Sequence, residues 1–160
     1  MAKKEDKTNA MRLLERAGVE YIPHTYDTKD GRIDAVSVAE KCGQDPCRLF
    51  KTLVTQGADH GIYVFVIPAA GELDLKAAAR AAGVKSIAML PQARLLPVTG
   101  YIHGGCSPVG MKKLFPTVVE ESALAQNTIF VSAGRVGAQI ELPPAALLKV
   151  TNGKTAHVAK

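Results

Sequence analysis

Lys51 is the residue of this 160-residue chain whose chemistry most depends on where the fold places it. It is the one charged residue in residues 49–54, a largely apolar segment typical of a β-strand. In a cleft, its ammonium could bind a phosphate or stabilise developing negative charge. On a strand with one hydrated face, it would be an ordinary solvated lysine. The pattern alone leaves both interpretations open.

A glycine-rich loop, residues 99–110, is the second candidate for chemistry. Gly100, Gly104, Gly105 and Gly110 permit positive φ angles and close backbone approach. Successive free N–H groups in such a loop can line an anion or oxyanion site. The spacing matches neither a P-loop nor a dinucleotide-binding fingerprint. A tight structural loop explains the glycines equally well.

A third candidate is the segment 131–137, which includes Ser132 and Gly134 and is followed by Gln139 and Glu141. A hairpin turn accounts for its glycines. The sequence Gly-x-Ser-x-Gly is absent, and no Ser-His-Asp order suggests a hydrolase triad. Together the three segments indicate a glycine-lined site for an anionic ligand, without identifying that ligand.

The three cysteines are Cys42, Cys47 and Cys106. An odd number in a chain with no export signal is typical of reduced thiols in the cytoplasm. Cys106 could be a nucleophile, but a lone cysteine is more often a small apolar packing residue, and we favour that interpretation. No pair of ligand groups has zinc-site spacing, so the sequence predicts no metal site.

Length and composition favour one domain over residues 1–160 with a sizeable core, since 47% of the residues are hydrophobic. The longest apolar run, residues 62–67, is far below the ~18 residues that a membrane span needs. The charged N-terminus does not resemble a secretory signal. We therefore expect a cytoplasmic protein without membrane contact.

The net charge of +5 is unevenly distributed. Residues 75–119 contain no carboxylate but six basic side chains. Such a stretch can attract a polyanion, although a modestly basic surface without a partner is equally compatible with it. The basic residues are Lys76, Arg80, Lys85, Arg94, Lys112 and Lys113.

Hydrophobic periodicity and turn residues predict a mixture of helices and strands. Helices are expected over residues 8–17, from Ser37 to about 43, over 73–83 and 91–95, and from Pro143 onward. Strands are expected over residues 21–26, 48–55, 61–67, 86–89, 128–131 and 138–142. Because strands often follow one another directly, a mixed α+β sheet is favoured over a strictly alternating parallel fold.

In order, these segments resemble the YbaK/EbsC family of bacterial aminoacyl-tRNA deacylases. The resemblance covers residues 8–158 and rests on an ordered set of short motifs. They are His24-Thr25-Tyr26, Phe50-Lys51-Thr52-Leu53, Leu73-Asp74-Leu75-Lys76, Thr99-Gly100-Tyr101, Gly104-Gly105, Ser107-Pro108, Gly110, Met111-Lys112-Lys113, Phe115-Pro116-Thr117, Val131-Ser132-Ala133-Gly134 and Ile140-Glu141-Leu142.

The resemblance implies a mixed, mainly antiparallel, barrel-like sheet flanked by helices, as in the editing domain of many bacterial prolyl-tRNA synthetases. It implies trans-acting hydrolysis of Cys-tRNA(Pro), and of Cys-tRNA(Cys), with the substrate's own thiol attacking the ester and no cofactor. The implied partners are the aminoacyl-tRNA 3′ end and prolyl-tRNA synthetase. The alternatives are a deacylase for Ala-, Ser- or Pro-tRNA and a non-catalytic module that binds tRNA or a synthetase.

The resemblance also implies roles for individual residues. Lys51 would anchor substrate phosphate or ribose and stabilise charge, and the N–H groups at Gly104 and Gly105 would hold the carbonyl oxygen. The terminal adenosine and the aminoacyl group would lie against Tyr26 and Thr52. The remaining implied substrate-binding residues are Ser132, Gly134 and Gln139.

The sequence departs from some relatives at two positions. Gln139 stands where those relatives have an aspartate, and Ile33 or Asp34 where they have an aromatic residue. Gln139 cannot attract an α-ammonium group by charge, although it can still accept a hydrogen bond from one. The amino-acid preference is therefore the least defined part of the expected function.

Overall fold

The computed structural model describes residues 7–32 and 35–160 and shows a mixed α+β fold. The α-helices of these residues are α1 (Asn9–Arg16), α2 (Ala35–Cys42), α3 (Leu75–Ala82), α4 (Gln92–Thr99) and α5 (Pro144–Thr151). The strands are β1 (Ile22–Thr25), β2 (Phe50–Gly57), β3 (Ile62–Pro68), β4 (Ile87–Met89), β5 (Thr117–Glu120), β6 (Ile129–Ser132), β7 (Ala138–Leu142) and β8 (Lys154–Ala156). Short 3-10 helices span Pro46–Arg48 and Glu121–Ala125.

The strands form two sheets. One has the order β4-β2-β3-β5-β8 and the other β1-β7-β6. Four of the six strand pairs are antiparallel, whereas β5 pairs with β3 and β8 in parallel. A single bridge between Leu49 and Phe130 links the sheets. The predicted mixed, mainly antiparallel architecture is confirmed, and the described strands do not close into one barrel.

Two helices begin and end where the sequence predicts. The Thr8 hydroxyl accepts a hydrogen bond from the Met11 amide and caps α1. The Asp74 carboxylate accepts from the amides of Lys76 and Ala77 at the start of α3. Gly83, at φ +75°, ends that helix in the left-handed conformation that glycine tolerates best. These caps fix where the two helices begin and end, and buried apolar residues of each helix pack against the sheets.

Several boundaries differ from the prediction, including those of two helices, and two strands were missed. Helix α2 begins at Ala35, two residues before the expected cap at Ser37. Helix α4 continues through Pro97 to Thr99, although proline cannot donate a backbone hydrogen bond. The Thr99 hydroxyl donates to the Leu95 carbonyl and the Gly100 amide to the Leu96 carbonyl, which stabilise the last turn. Strands β5 and β8 were not predicted, since they have four and three residues and show no clear alternation.

The largest core cluster packs α1 and α5 against residues from both sheets. A second cluster lies between α3 and the sheet that contains β3. Within residues 7–32 and 35–160, no helix has the length and apolar character needed to traverse a bilayer. The site described below lies where the two sheets face one another.

Candidate functional site

A cavity of about 560 Å³ opens between the two sheets. One wall is β2 with residues 89–106, and the other contains parts of β6 and β7. Its volume lies within the range usual for pockets that bind small molecules or parts of larger ones. Six of the eight predicted site residues line it, namely Tyr26, Lys51, Thr52, Gly104, Ser132 and Gln139.

Lys51 lies in the wall of this cavity, which answers the question that the sequence left open. It stands opposite Ile67 in the β2–β3 ladder and is partly buried. Within the described residues its ammonium forms no hydrogen bond and no ion pair. A cationic group without a protein partner in a recess is well placed to interact with an anionic ligand or a developing oxyanion.

Two buried polar atoms of the cavity lining have no hydrogen-bond partner among the described residues: Thr52 Oγ1 and Gln139 Oε1. Gln139 is only 8% exposed. Buried polar atoms in native proteins are almost always paired, because leaving one unpaired costs free energy. The cavity therefore offers a ligand two acceptor oxygens, one on each wall.

Gly104 occupies the third position of a tight turn at the cavity. The Gly105 amide donates to the Ile102 carbonyl over 3.0 Å, and Gly104 has φ +84°. Because His103 has a negative φ, the turn is of type II, which favours glycine at its third position. The Gly105 amide is thus already used. The Gly104 amide has no partner within the described residues, so it can donate to a ligand.

Gly105 and Gly134 lie outside the cavity lining and support it from behind. A β-carbon on Gly105 would come within 2.9 Å of the backbone of Arg135 and Val136. A β-carbon on Gly134 would come within 2.9 Å of the Tyr101 ring. Because neither glycine has a side chain, the glycine-rich loop can pack in direct contact with the β6–β7 turn.

Cys106 lines the cavity but is unsuited to nucleophilic attack. It packs with Val54, Leu90 and Tyr101 in a small buried cluster. Burial raises the pKa of its thiol to about 11, so the thiolate that attack requires is scarce near neutral pH. The packing interpretation favoured from the sequence agrees with this environment.

Sequence reasoning missed a polar network beside the cavity, formed by His24, Arg48, Thr128 and Glu141. Both Glu141 oxygens accept hydrogen bonds, at 2.9 Å from His24 Nε2, 2.9 Å from Arg48 Nη2 and 2.5 Å from Thr128 Oγ1. Burial tends to raise the pKa of Glu141, but the bonds from Thr128, His24 and Arg48 outweigh it and hold the pKa below its usual value. His24 and Glu141 each fell within a motif of the family resemblance, but nothing in the sequence indicated that they meet each other or Arg48 and Thr128.

Basic side chains lie on and near α4, which contributes Gln92 and Leu95 to the cavity wall. Residues 89–106, which lie in the carboxylate-free stretch, supply much of the wall. Arg94 extends from α4 to Gln56, Lys112 donates to the Pro97 carbonyl at the end of α4, and Lys113 is exposed. Between Tyr26 and α2, the charges compensate one another, since Asp30 pairs with Arg32 and Lys41. The predicted departure at Ile33 or Asp34 lies outside the described residues.

Comparison with known proteins identifies several that are similar to this chain in sequence or in fold. A family model described as an aminoacyl-tRNA editing domain matches residues 32–150. The chain is 49% identical over 160 residues to EbsC of Enterococcus faecalis, provisionally named a Cys-tRNA(Pro)/Cys-tRNA(Cys) deacylase, and the match covers 99% of this chain and 98% of that protein.

Two crystal structures share the fold. One, of a hypothetical protein, superposes with a TM-score of 0.87 at 22% identity and covers 96% of this chain and 100% of the other. The second is described as a candidate trans-editing enzyme for prolyl-tRNA synthetase. It gives a TM-score of 0.83 at 23% identity, with 95% of each chain covered. At these identities the two structures support the fold alone.

Proposed function

This chain belongs to the aminoacyl-tRNA editing domain family, and we propose that it is a trans-acting deacylase that removes cysteine from Cys-tRNA(Pro) and Cys-tRNA(Cys). The observation that carries the proposal is the cavity between the sheets, which Lys51 lines without an ion-pair partner among the described residues and which has an unpartnered oxygen on each wall. We regard residues 1–160 as one editing domain. The 49% identity to a relative named for this substrate supports the choice of amino acid.

The reaction needs no nucleophile from the protein. The sulfur of the cysteinyl group attacks its own carbonyl carbon and forms a four-membered thiolactone. The bond from that carbon to the ribose oxygen breaks, and the thiol proton ends on the released hydroxyl. An enzyme that aligns these groups gains rate through orientation and charge stabilisation. The high pKa of the Cys106 thiol is compatible with a reaction in which the substrate, and not the protein, supplies the attacking sulfur.

Three residues supply what the reaction requires. The free Gly104 N–H donates to the carbonyl oxygen as it gains charge, and the Lys51 ammonium stabilises the same region or the adjacent phosphate. Tyr26 offers a surface for the terminal adenosine. The Tyr26 amide donates to the Gly137 carbonyl over 2.9 Å, which holds Tyr26 next to the β6–β7 turn.

Gln139 receives the substrate's α-ammonium group. Its unpartnered Oε1 can accept one of the three N–H groups, and Thr52 Oγ1 on the facing wall offers a second acceptor. Neither oxygen carries a charge, so this contact orients the amino acid more than it attracts it. A neutral acceptor also suits alanyl, seryl or prolyl esters, which makes deacylation of those esters the second candidate function.

We infer that the RNA approaches over α4 and the segment beside its end, because Arg94 lies on α4, Lys112 donates to the Pro97 carbonyl, and the exposed Lys113 follows Lys112 in the chain. Only eight aromatic residues occur in the chain, which is few for a surface that stacks single-stranded bases. A partner that already holds the tRNA, such as prolyl-tRNA synthetase, would compensate for modest affinity. We expect the protein to act in the cytoplasm, where its proposed substrate is made.

The test is hydrolysis of a panel of purified esters: Cys-tRNA(Pro), Cys-tRNA(Cys), Ala-tRNA(Pro), Ser-tRNA(Ala) and Pro-tRNA(Pro). We expect the two cysteinyl esters to be cleaved fastest. Lys51→Ala should lose about 100-fold or more in rate, the usual scale for removal of a charge-stabilising group. Lys149→Ala removes an exposed lysine outside the cavity and should hydrolyse normally. Full activity in Lys51→Ala would disprove its role.

Two other outcomes would redirect the proposal. Faster cleavage of an alanyl, seryl or prolyl ester would identify the second candidate function. Salt-sensitive tRNA binding without acceleration of any ester would identify a non-catalytic binding module.

A further inference from the structure

The two walls of the cavity belong to different sheets, so their separation depends on how the sheets are joined. Lys51 and Thr52 lie on β2, whereas Ser132 and Gln139 lie on β6 and β7. The Leu49–Phe130 bridge is the one described backbone link between the sheets. Because a two-residue bridge fixes little of the distance between the sheets, side-chain contacts must fix the rest.

The network of His24, Arg48, Thr128 and Glu141 lies at this junction. Arg48 directly precedes the bridge residue Leu49 and lies three residues before Lys51, which is part of the cavity wall. Its guanidinium donates to the Thr128 hydroxyl, to the Thr128 carbonyl at 3.2 Å and to Glu141 at 2.9 Å. It also lies 5.2 Å from the centre of the Phe130 ring. The segment leading into β2 is thereby tied to β6 and β7.

The same network borders Gln139. Gln139 lies between His24 and Ser132 in the strand ladders, and Glu141 is two residues farther along the same face of β7. His24 Nε2 pairs with Glu141 Oε1, and the His24 ring packs 4.9 Å from that of Phe130. Displacing Glu141 would therefore disturb the strand neighbours of Gln139 as well as the start of β2.

We propose that Glu141 is a positioning residue for deacylation, whose carboxylate, through Arg48, Thr128 and His24, sets the separation between the Lys51 wall and the Gln139 wall. The proposal rests on the function proposed above. Glu141 does not line the cavity and makes no contact with substrate. Its role is to hold two groups that do, at a distance suited to one aminoacyl ester.

Chemistry makes this site sensitive to a small change. The two Glu141 oxygens serve three donors. An amide has no charge, one oxygen and one NH₂, so Glu141→Gln loses the ion pair with Arg48 and places an NH₂ either against the Arg48 and Thr128 donors or against His24 Nε2, which can accept only after a change of tautomer. Misplacing reacting groups by about 1 Å can cost on the order of 100-fold in rate. A loss of about 10-fold to 100-fold in kcat is therefore expected for Glu141→Gln.

Glu120 provides a matched control. It is a buried carboxylate, 3% exposed, that accepts from the amides of Val158 and Ala159 at 2.8 and 3.1 Å and from His157 Nδ1 at 3.0 Å. It anchors the end of the chain and does not line the cavity. Glu120→Gln, like Glu141→Gln, replaces a hydrogen-bonded carboxylate by an amide. It therefore shows how a loss of stability alone affects activity when the separation of the cavity walls is unchanged.

The experiment measures kcat and KM for Cys-tRNA(Pro) well below the melting temperature of each variant. Both variants should melt earlier, but only Glu141→Gln should lose kcat, with KM changed by no more than about twofold. Thr128→Val and Arg48→Lys should lose kcat in the same way, and they replace Glu141→Gln if that variant does not fold. Equal kcat in the Glu141 and Glu120 variants would overturn the proposal, as would normal kcat in the Thr128 and Arg48 variants.

A spectroscopic measurement separates this proposal from the proposed function. The side-chain amide resonances of Gln139 should shift in Glu141→Gln and not in Glu120→Gln, whether or not the protein hydrolyses any ester. An inactive wild-type protein would refute the function alone. Unchanged Gln139 resonances in Glu141→Gln would refute the positioning role alone.

Discussion

The ring of Tyr101 lies against the backbone of Gly134, so closely that a β-carbon on that glycine would be 2.9 Å from Cε1 of the ring. This contact joins the glycine-rich loop to the turn between β6 and β7. The Tyr101 hydroxyl donates to the Val109 carbonyl over 2.6 Å, so one side chain also connects the two ends of the loop. The position of Gly104 at the cavity thus depends on a residue that does not line it.

Gly134→Ala should destabilise the protein and displace this loop. Gly134 has φ +109°, a conformation that alanine adopts only at a cost of about 1–3 kcal/mol, and the new methyl group would also collide with Tyr101. We expect a lower free energy of unfolding and a reduced kcat, both measured on the purified variant.

Gly83→Ala separates these two causes. Gly83 also has a positive φ, but nothing lies within 4 Å of its would-be β-carbon. The Gly83→Ala protein should therefore lose stability through backbone strain alone and keep its kcat. Equal effects of the two substitutions would mean that the Tyr101–Gly134 contact has no role of its own.

Cys106→Ser should retain deacylation within about threefold, because the attacking sulfur belongs to the substrate and the Cys106 thiol, with a pKa of about 11, is protonated at neutral pH. Initial rates on Cys-tRNA(Pro), with circular dichroism to confirm folding, test this. A folded but inactive Cys106→Ser protein would instead point to a nucleophile from the enzyme.

Gln139→Ala should weaken capture of the aminoacyl group. Removing an acceptor for a charged donor costs about 1.5 kcal/mol or more, which corresponds to roughly a tenfold rise in KM. A minimal cysteinyl ester of adenosine isolates this effect from binding of the RNA body. An unchanged KM for that ester would show that Gln139 Oε1 meets a different group.

Stability should fall in acid partly through Glu120. Burial tends to raise its pKa, but hydrogen bonds from the backbone of Ser122, Ala159 and Val158 outweigh burial and lower the pKa from the usual 4.5. The folded state therefore binds the proton less tightly than the unfolded state. This contribution is present above about pH 4.5 and is lost as pH falls through the lower, folded-state pKa.

Melting temperatures measured from pH 7 to pH 3 test this dependence. The wild-type curve should fall more steeply below about pH 4.5 than the Glu120→Gln curve, because the variant has lost one group with a lowered pKa. Parallel curves would show that Glu120 makes no contribution of this kind.

Local sequence patterns predicted the elements that form through local interactions. Helix α3 follows from Asp74 and Gly83, which terminate it in the sequence as they do in the structure. Strand β7 has its predicted boundaries. Strand β8 has three residues and forms through its parallel pairing with β5, which is a non-local cause that no local pattern carries.

The site was predictable only in part for the same reason. The resemblance to a known family suggested Lys51, but its strand pattern alone favoured a solvated lysine on a hydrated face over one in a cleft. The recess around it requires the facing wall from β6 and β7, some eighty residues later. Glu141 and Arg48 are 93 residues apart in the chain, so their pairing had no sequence signal.

The order of the smaller sheet has a consequence for synthesis of the protein on the ribosome. Strand β1 is made early, yet its sheet partner is β7, which occupies the centre of the sheet and is made more than a hundred residues later. A nascent chain that has not yet released residues 138–142 therefore carries Lys51 without the opposing wall. Non-local pairings of this kind form slowly. A newly made molecule can therefore first bind its ester when β7 has paired with β1, and not when Lys51 has been synthesised.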